Sequence, residues 1–465
     1  MTTETAQRDF ASATRSENVL QRLTAIRAPR KLRALEFVLL LAVTAIGIGA
    51  IVIVDLTVKE TLSTALLIPG AAYIAILFGL HLVVRKITPD ADPLIMPLAA
   101  ILNILGIVMI YRIEISGEVR DLPGAAARQI LWSIIAMVAT GALVWLLKNH
   151  RTLLRYTYIF GLVGVLLLVL PLVPGIGHAA GGAQQWIRIG SFSFQPVELA
   201  KIALAIFFAS YLVRNRDALS LVGRKIGPVR LPRARDLGPL LIVWLIAMGI
   251  LIFQRELGTS VLVFGLFLAV LYVATGRIGW VLIGLSLFLV GGFIAAQTFS
   301  YVGARFNNWL HPFRDPQGAS YQLVQGFFGM ANGGITGTGL GAGYPQITPL
   351  SYSDYIFPSV AEELGLVGAF MILTTYLILV ARGMRISFAV QDDFGKLLAL
   401  ALSFTITLQV FVIVGGVTGI IPLTGLTTPF LAAGGSSLLS NWLIVGLLLL
   451  MSNAIRNRPK LVIRA

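Results

Sequence analysis

Cysteine is absent from all 465 residues, which excludes disulfides, thiolate metal sites and a cysteine nucleophile while leaving the compartment open. Charge is scarce too. Charged residues make up 12% of the chain against 57% hydrophobic, a balance that a water-soluble core and shell cannot accommodate. The first 32 residues lack an apolar core long enough for a signal peptide, so the first spanning helix is expected to be internal and uncleaved. Neither an internal repeat nor a low-complexity tract is evident.

What the chain has instead is many apolar runs of the roughly 18–20 residues that carry a helix across about 30 Å of hydrocarbon. They lack the period-2 alternation of a barrel strand. The expected fold is therefore all-α: a polytopic transmembrane helical bundle of about twelve helices. The spans are placed at 35–54, 62–84, 93–111, 127–147, 153–173, 195–213, 238–253, 258–275, 278–297, 356–381, 395–418 and 436–453. The seventh is short, and the Gln254-Arg255-Glu256-Leu257 separator after it reads as a tight re-entrant turn or an ordinary loop.

The net charge of +15 would suggest nucleic acid in a soluble protein, but here it collects in alternate loops. Arg8, Arg15, Arg22, Arg27, Arg30, Lys31 and Arg33 fall on one side, with the seven basic residues of 214–235, Arg382, Arg385, Arg456, Arg458, Lys460 and Arg464. Basic loop residues stay cytoplasmic during insertion, so both termini are expected in the cytoplasm and no nucleic-acid partner is inferred. Residues 19–26 alternate apolar groups and arginine at helical spacing. They suit either a short interfacial helix on anionic membrane lipids or a solvated basic tail.

On the opposite side the loops grow rich in Gly, Pro, Gln and isolated charges. One large extracytoplasmic loop, 300–355, is too long for a bare connector and too apolar for a disordered linker, so it must pack on the bundle. It holds Arg305, Trp309, the Arg314-Asp315-Pro316-Gln317-Gly318 turn, Gln322, Gln325 and four alternating glycines, Gly337, Gly339, Gly341 and Gly343. No strand precedes the glycines, so a dinucleotide site is rejected. A tight re-entrant turn remains, or close approach of backbone to a ligand.

Acids on this side can be compared singly. Asp315, before proline, is read as ordering its own turn. Asp354 stands where the loop re-enters the bundle; it is either a helix N-cap or a general base in partly dehydrated surroundings. Glu362, eight residues later, would share its helix face beside Glu363. Glu198 and Lys201, three apart, form a structural ion pair, or Lys201 binds a phosphate-bearing group with Arg188 and Arg305. Ser436 and Ser437, after Gly434-Gly435, open the last helix, either as an anion site or as a plain capped start.

These residues fall in five ordered motifs between about 90 and 455: Gln195-Pro196-x-Glu198-Leu199-x-Lys201; Asp315-Pro316-x-Gly318-x-x-Tyr321-Gln322-x-x-Gln325; Gly337-x-Gly339-Leu340-Gly341; Ser353-Asp354-Tyr355-Ile356-Phe357 with Glu362-Glu363-Leu364-Gly365; and Pro422-Leu423-Thr424-Gly425 with Gly434-Gly435-Ser436-Ser437. With them the chain resembles the SEDS family (shape, elongation, division and sporulation), most closely its RodA-like branch. The resemblance implies a peptidoglycan glycosyltransferase that polymerises lipid II in cell-wall elongation. Asp354 would be general base on the acceptor 4-hydroxyl and undecaprenyl diphosphate the leaving group. Arg188, Lys201 and Arg305 would suit the diphosphate, with Glu198, Gln322, Gln325, Glu362, Ser436 and Ser437 as further substrate contacts. A class B penicillin-binding protein is the implied partner. No cofactor is evident; a divalent cation could assist the diphosphate, although no acidic cluster shows ligand spacing.

The implied organisation is a cytoplasmic basic tail at 1–32, an additional transmembrane hairpin at 33–90, a SEDS-like core at 91–455 and a cytoplasmic tail at 456–465 in the bacterial inner membrane. The chain departs from the family in three ways. It has Gln254-Arg255-Glu256 where Gln-Pro-Asp is common, Ala432-Ala433 where Ser-Tyr is common, and a hairpin beyond the usual ten helices. Two other functions are weighed. A lipid II flippase needs sites open to both faces, whereas these acids and glycines cluster toward one. A scaffold for a penicillin-binding protein would need no base at all.

Overall fold

A computed structural model describes residues 29–117, 124–180, 183–189, 192–215, 223–226, 229–232 and 234–456. The segment 19–26, and with it the expected interfacial helix, lies outside them. So do residues 457–465 of the C-terminal tail.

Helices dominate. In chain order they are α1 (Pro29–Val58), α2 (Leu67–Ile87), α3 (Ile95–Ile115), α4 (Ala125–Leu147), α5 (Thr157–Val169), α6 (Val197–Arg214) and α7 (Ala234–Phe253). They continue with α8 (Leu257–Thr275), α9 (Ile278–Thr298), α10 (Ser300–Leu310), α11 (Tyr321–Gly333), α12 (Ile356–Ala389), α13 (Asp393–Val417) and α14 (Gly435–Arg456). Each of the twelve expected spans coincides with a helix. Among the described residues ten helices are long and apolar enough to cross a membrane, the helical stretch His150–Leu172 around α5 included. The two others differ for physical reasons: α6 carries Glu198, Lys201 and Arg214, and the apolar part of α7 is only Gly238–Phe253. The 254–257 separator is a three-residue link with Arg255 at φ 59°.

Hydropathy does not foreshadow the small antiparallel sheets, β1 (Gly177–Ala180), β2 (Ala183–Ile189) and β3 (Phe192–Phe194) in order β1-β2-β3, and the pair β4 (Gly223–Ile226) and β5 (Val229–Pro232). In β2 Ile187 is buried and Arg188 exposed, the alternation of a one-sided strand.

Helices α3, α13 and α14 are the most buried spans and α9 the least. The 300–355 loop packs on this bundle through α10 and α11, and Trp309 Nε1 donates to Gly419 O at 2.8 Å. Helix α12 is kinked at Gly365 (φ 67°, ψ −170°). The kink frees backbone groups that the glycine loop takes up. Thr338 and Gly339 N–H donate to Glu362 O and Glu363 O, while Leu366 and Val367 N–H donate to Gly334 O and Ile335 O. Irregular backbone at membrane depth is tolerable because protein satisfies it. The glycine run is thus a re-entrant turn laid on α12, and a Cβ at Gly337 (φ 85°) would collide with Glu363 O. Gly337→Ala is expected to cost roughly 1–3 kcal/mol from backbone strain alone, seen as a lower Tm in detergent.

Candidate active site

Four segments converge at one end of the bundle. The turn before α12 is closed by Ser353 N–H and Tyr355 N–H, both donating to Leu350 O, and is tied to the segment before α14 by Ala433 N–H donating to Tyr352 O at 2.9 Å. Asp354 lies in this turn. It does not cap α12, whose N-cap position is Tyr355 and lacks a side-chain capping bond, so the capping role is set aside. A Cβ placed on Gly425 would lie 3.6 Å from Asp354 Oδ2 and 3.8 Å from Arg305 Nη2. Carboxylate and guanidinium therefore flank the same glycine. Arg305 is held from α10 by Nη1 donating to Leu423 O at 3.1 Å and Thr424 O at 3.0 Å.

Burial pushes the Asp354 carboxyl up to about 6, against the opposing pull of Arg305 and a hydrogen bond from Ser353. The fourth segment, at the start of α8, supplies Glu256, a residue that the sequence analysis did not place in the site. Glu256 is buried, accepts from Thr259 Oγ1 at 2.8 Å and from Gln195 Nε2 at 3.5 Å, and is pushed up to about 7 by burial. Glu198 and Asp354 raise it further and Arg305 lowers it, so these groups share one electrostatic neighbourhood. Its signal in the sequence was an acid between two apolar helices, obscured by the Gln254-Arg255-Glu256 departure.

Below this lies a satisfied polar layer. Glu198 and Lys201 form a buried ion pair at 2.8 Å; Lys201 Nζ also donates to Gln409 Oε1 at 2.9 Å, and Ser440 Oγ donates to Glu198 Oε2 at 3.0 Å. Gln409 Nε2 donates to Thr427 O, and Gln195 N–H donates to Ser436 Oγ, each at 2.8 Å. Ser437 Oγ accepts from Asn441 Nδ2 at 3.1 Å within α14. Ser436 thus ties the start of α14 to the segment before α6, while the Ser437 bond stays within α14.

Among the remaining expected residues, Glu362 and Gln322 serve the 300–355 loop itself. Glu362 anchors the glycine loop by accepting from Tyr344 N–H at 2.9 Å and Asn332 Nδ2 at 3.2 Å. Glu363 pairs with Arg112 of α3 at 2.7 Å and accepts from Gly341 N–H at 3.1 Å. Gln322 Nε2 donates to Pro349 O at 3.0 Å, bracing the Asp354 turn. Gln325 is half-buried in α11, and Arg188 is exposed on β2. Asp315 accepts from Ala319 N–H at 2.9 Å, the turn-ordering role expected of it. Among the described residues no group of three or more His, Cys, Asp or Glu side chains is placed to hold a metal ion.

With this geometry in hand, comparison with known proteins is specific. The FtsW, RodA and SpoVE family, described as cell cycle protein, matches residues 92–457. The peptidoglycan glycosyltransferase RodA of Mycobacterium tuberculosis is 43% identical over 437 residues, 92% of this chain and 93% of that protein. Its namesake from Mycobacterium leprae is 41% identical over 450 residues, 95% of this chain and 96% of that protein. A chain solved in work on structural coordination of polymerization and crosslinking by a peptidoglycan synthase complex superposes with a TM-score of 0.62 at 26% identity, covering 79% of this chain and 99% of that one.

Proposed function

Because this chain belongs to the FtsW, RodA and SpoVE family, the SEDS proteins, and is a multi-pass membrane peptidoglycan glycosyltransferase of cell-wall synthesis, we propose that it polymerises lipid II with Asp354 as general base. The observation that carries the assignment of the base is a carboxyl raised to about 6 that caps nothing and shares Gly425 with Arg305. A base works best when its pKa lies near the operating pH.

In the reaction Asp354 takes the proton of the acceptor sugar's 4-hydroxyl. The oxygen forms its bond to the donor's anomeric carbon as the bond from that carbon to the diphosphate oxygen breaks. The electron pair leaves on undecaprenyl diphosphate. Of the three candidate cations, Arg305 stands beside the base and is assigned to the diphosphate as a charge-assisted donor. Lys201 already serves Glu198 and Gln409, and Arg188 lies on the sheet. A divalent cation, if one took part, would neutralise charge on the leaving diphosphate and would have to be held by the substrate's own phosphates, since no group of three or more His, Cys, Asp or Glu among the described residues is placed to hold it.

The extracytoplasmic placement of the site is supported by the basic residues at the far end of the same helices. Arg382 lies 28 residues along the chain from Asp354, toward the other end of α12, and the part of the helix after the Gly365 kink alone rises roughly 25 Å to reach it at 1.5 Å per residue. A lipid-linked substrate would enter laterally from the outer leaflet. A transpeptidase of the class B penicillin-binding type is the proposed partner, in keeping with the synthase complex from which the superposed chain comes.

The test is glycan synthesis from lipid II by the purified protein and its partner in detergent, where no bilayer separates two compartments. Polymer is the expected product. A flippase, or a scaffold for a transpeptidase, would leave lipid II unconsumed, and polymer that is indifferent to Asp354→Asn would remove the base assignment.

A further inference from the structure

The hairpin α1–α2 precedes the residues that match the family, 92–457, yet its tip packs on the glycine run that is hydrogen-bonded to α12. Asp55, 2% exposed near the end of α1, accepts from Tyr111 Oη of α3 at 2.6 Å and from Ser63 N–H at 2.9 Å. Lys59 Nζ donates to the same Tyr111 hydroxyl at 3.3 Å. A carboxyl group this deep is tolerated because both oxygens are hydrogen-bonded, and these bonds fix the last turn of α1 against α3.

That turn meets the glycine run. A Cβ on Gly341 (φ 88°) would lie 2.9 Å from Thr57 Cβ and 3.1 Å from Val58 Cγ2, so only glycine lets the loop pass between α1 and α12. Gly341 N–H donates to Glu363, and Arg112, next in sequence to Tyr111, holds both Glu363 and Gly343 O. The hairpin tip, α3 and the glycine run therefore meet α12 at Glu363, nine residues beyond Asp354 on the helix that follows its turn.

We propose that the added hairpin is a positioning element for glycosyl transfer, with Asp55 locking its tip so that the glycine run and the start of α12 hold Asp354 in register. The proposal rests on the reading of Asp354 as the base. Small misplacements of a catalytic group are costly, so Asp55→Ala should lower kcat about tenfold with KM for lipid II unchanged.

The deciding experiment pairs that kinetic split with amide hydrogen exchange over 337–343 in the purified full chain. Faster exchange there together with the kcat loss is the expected result. Should Asp55→Ala fail to fold, Tyr111→Phe removes one bond to the carboxylate and carries the same test. His81→Phe is the control: His81 bonds Glu36 at the hairpin's far end at 2.7 Å, and the substitution should move neither reading. Exchange that stays unchanged in Asp55→Ala, exchange raised equally by His81→Phe, or raised exchange with unaltered kcat would each overturn the proposal. Failure of the base assignment would show separately, as normal polymerisation by Asp354→Asn, and would leave the exchange result standing.

Discussion

The Asp354→Asn variant is expected to lose polymerisation by a factor of about 10²–10⁴, the usual contribution of a general base, while still folding and still binding its partner. Folding separates this account from the helix-cap alternative. Burial raises the carboxyl from 3.8 to about 6, so the group's contribution to stability is full below the lower value and is lost as pH rises through the upper one. At neutral pH the charge is therefore a burden on the fold, and a neutral amide should leave Tm unchanged or higher. A cap would tolerate asparagine, which caps as well as aspartate, so Asp354→Ala separates the two roles: its Tm falls if the side chain caps and holds or rises if it does not. Parallel measurement of lipid II consumption and thermal unfolding in one preparation reads both effects.

The second large effect belongs to stability. Glu363 is fully buried against Arg112, and removing one partner of a buried ion pair typically costs about 3–5 kcal/mol, because the other charge is left without compensation. Glu363→Ala should accordingly give little monodisperse protein, with a sharply lowered Tm in what survives. Adding Arg112→Met should recover part of the loss, so that the double variant is more stable than the sum of the two single changes. Additive losses would show that the pair is not coupled. Glu363→Gln, which keeps an acceptor for Gly341 N–H, should fall between wild type and alanine.

Much of this was legible in the chain before any coordinates. Lipid imposes length and hydropathy on each span, which is why the twelve helical segments fall where apolar runs predict them. Asp354 stands out for a related reason: an isolated acid where a long loop meets an apolar helix is either a cap or a base, and the chain alone does not decide between them. The other acids were harder, because their partners come from distant segments. Glu362 shares a helix face with Asp354 by spacing, yet its carboxylate is spoken for by Tyr344 and Asn332. Only the kink at Gly365 and the folding back of the glycine loop put those donors there.

Glu256 shows the opposite case. Its substitution in a motif read as a weakness of the resemblance, whereas tertiary packing of α6, α8 and α13 surrounds it with Gln195, Thr259 and the site charges. The sheet β1-β2-β3 escaped notice because its strands are three to seven residues long, too short to stand out beside membrane-length runs. The hairpin tip was equally silent. Asp55 and Tyr111 belong to separate apolar helices, and their meeting depends on how α1 crosses α3.

The central claim, that Asp354 accepts the acceptor's proton, is tested most directly by the single-turnover rate of glycosyl transfer between pH 5 and 8, for wild type and for the residual activity of Asp354→Asn. The account predicts a wild-type rate that falls about tenfold per unit once pH drops below about 6, and no such limb in the variant. A flat wild-type profile, or the same acid limb in both proteins, would contradict it.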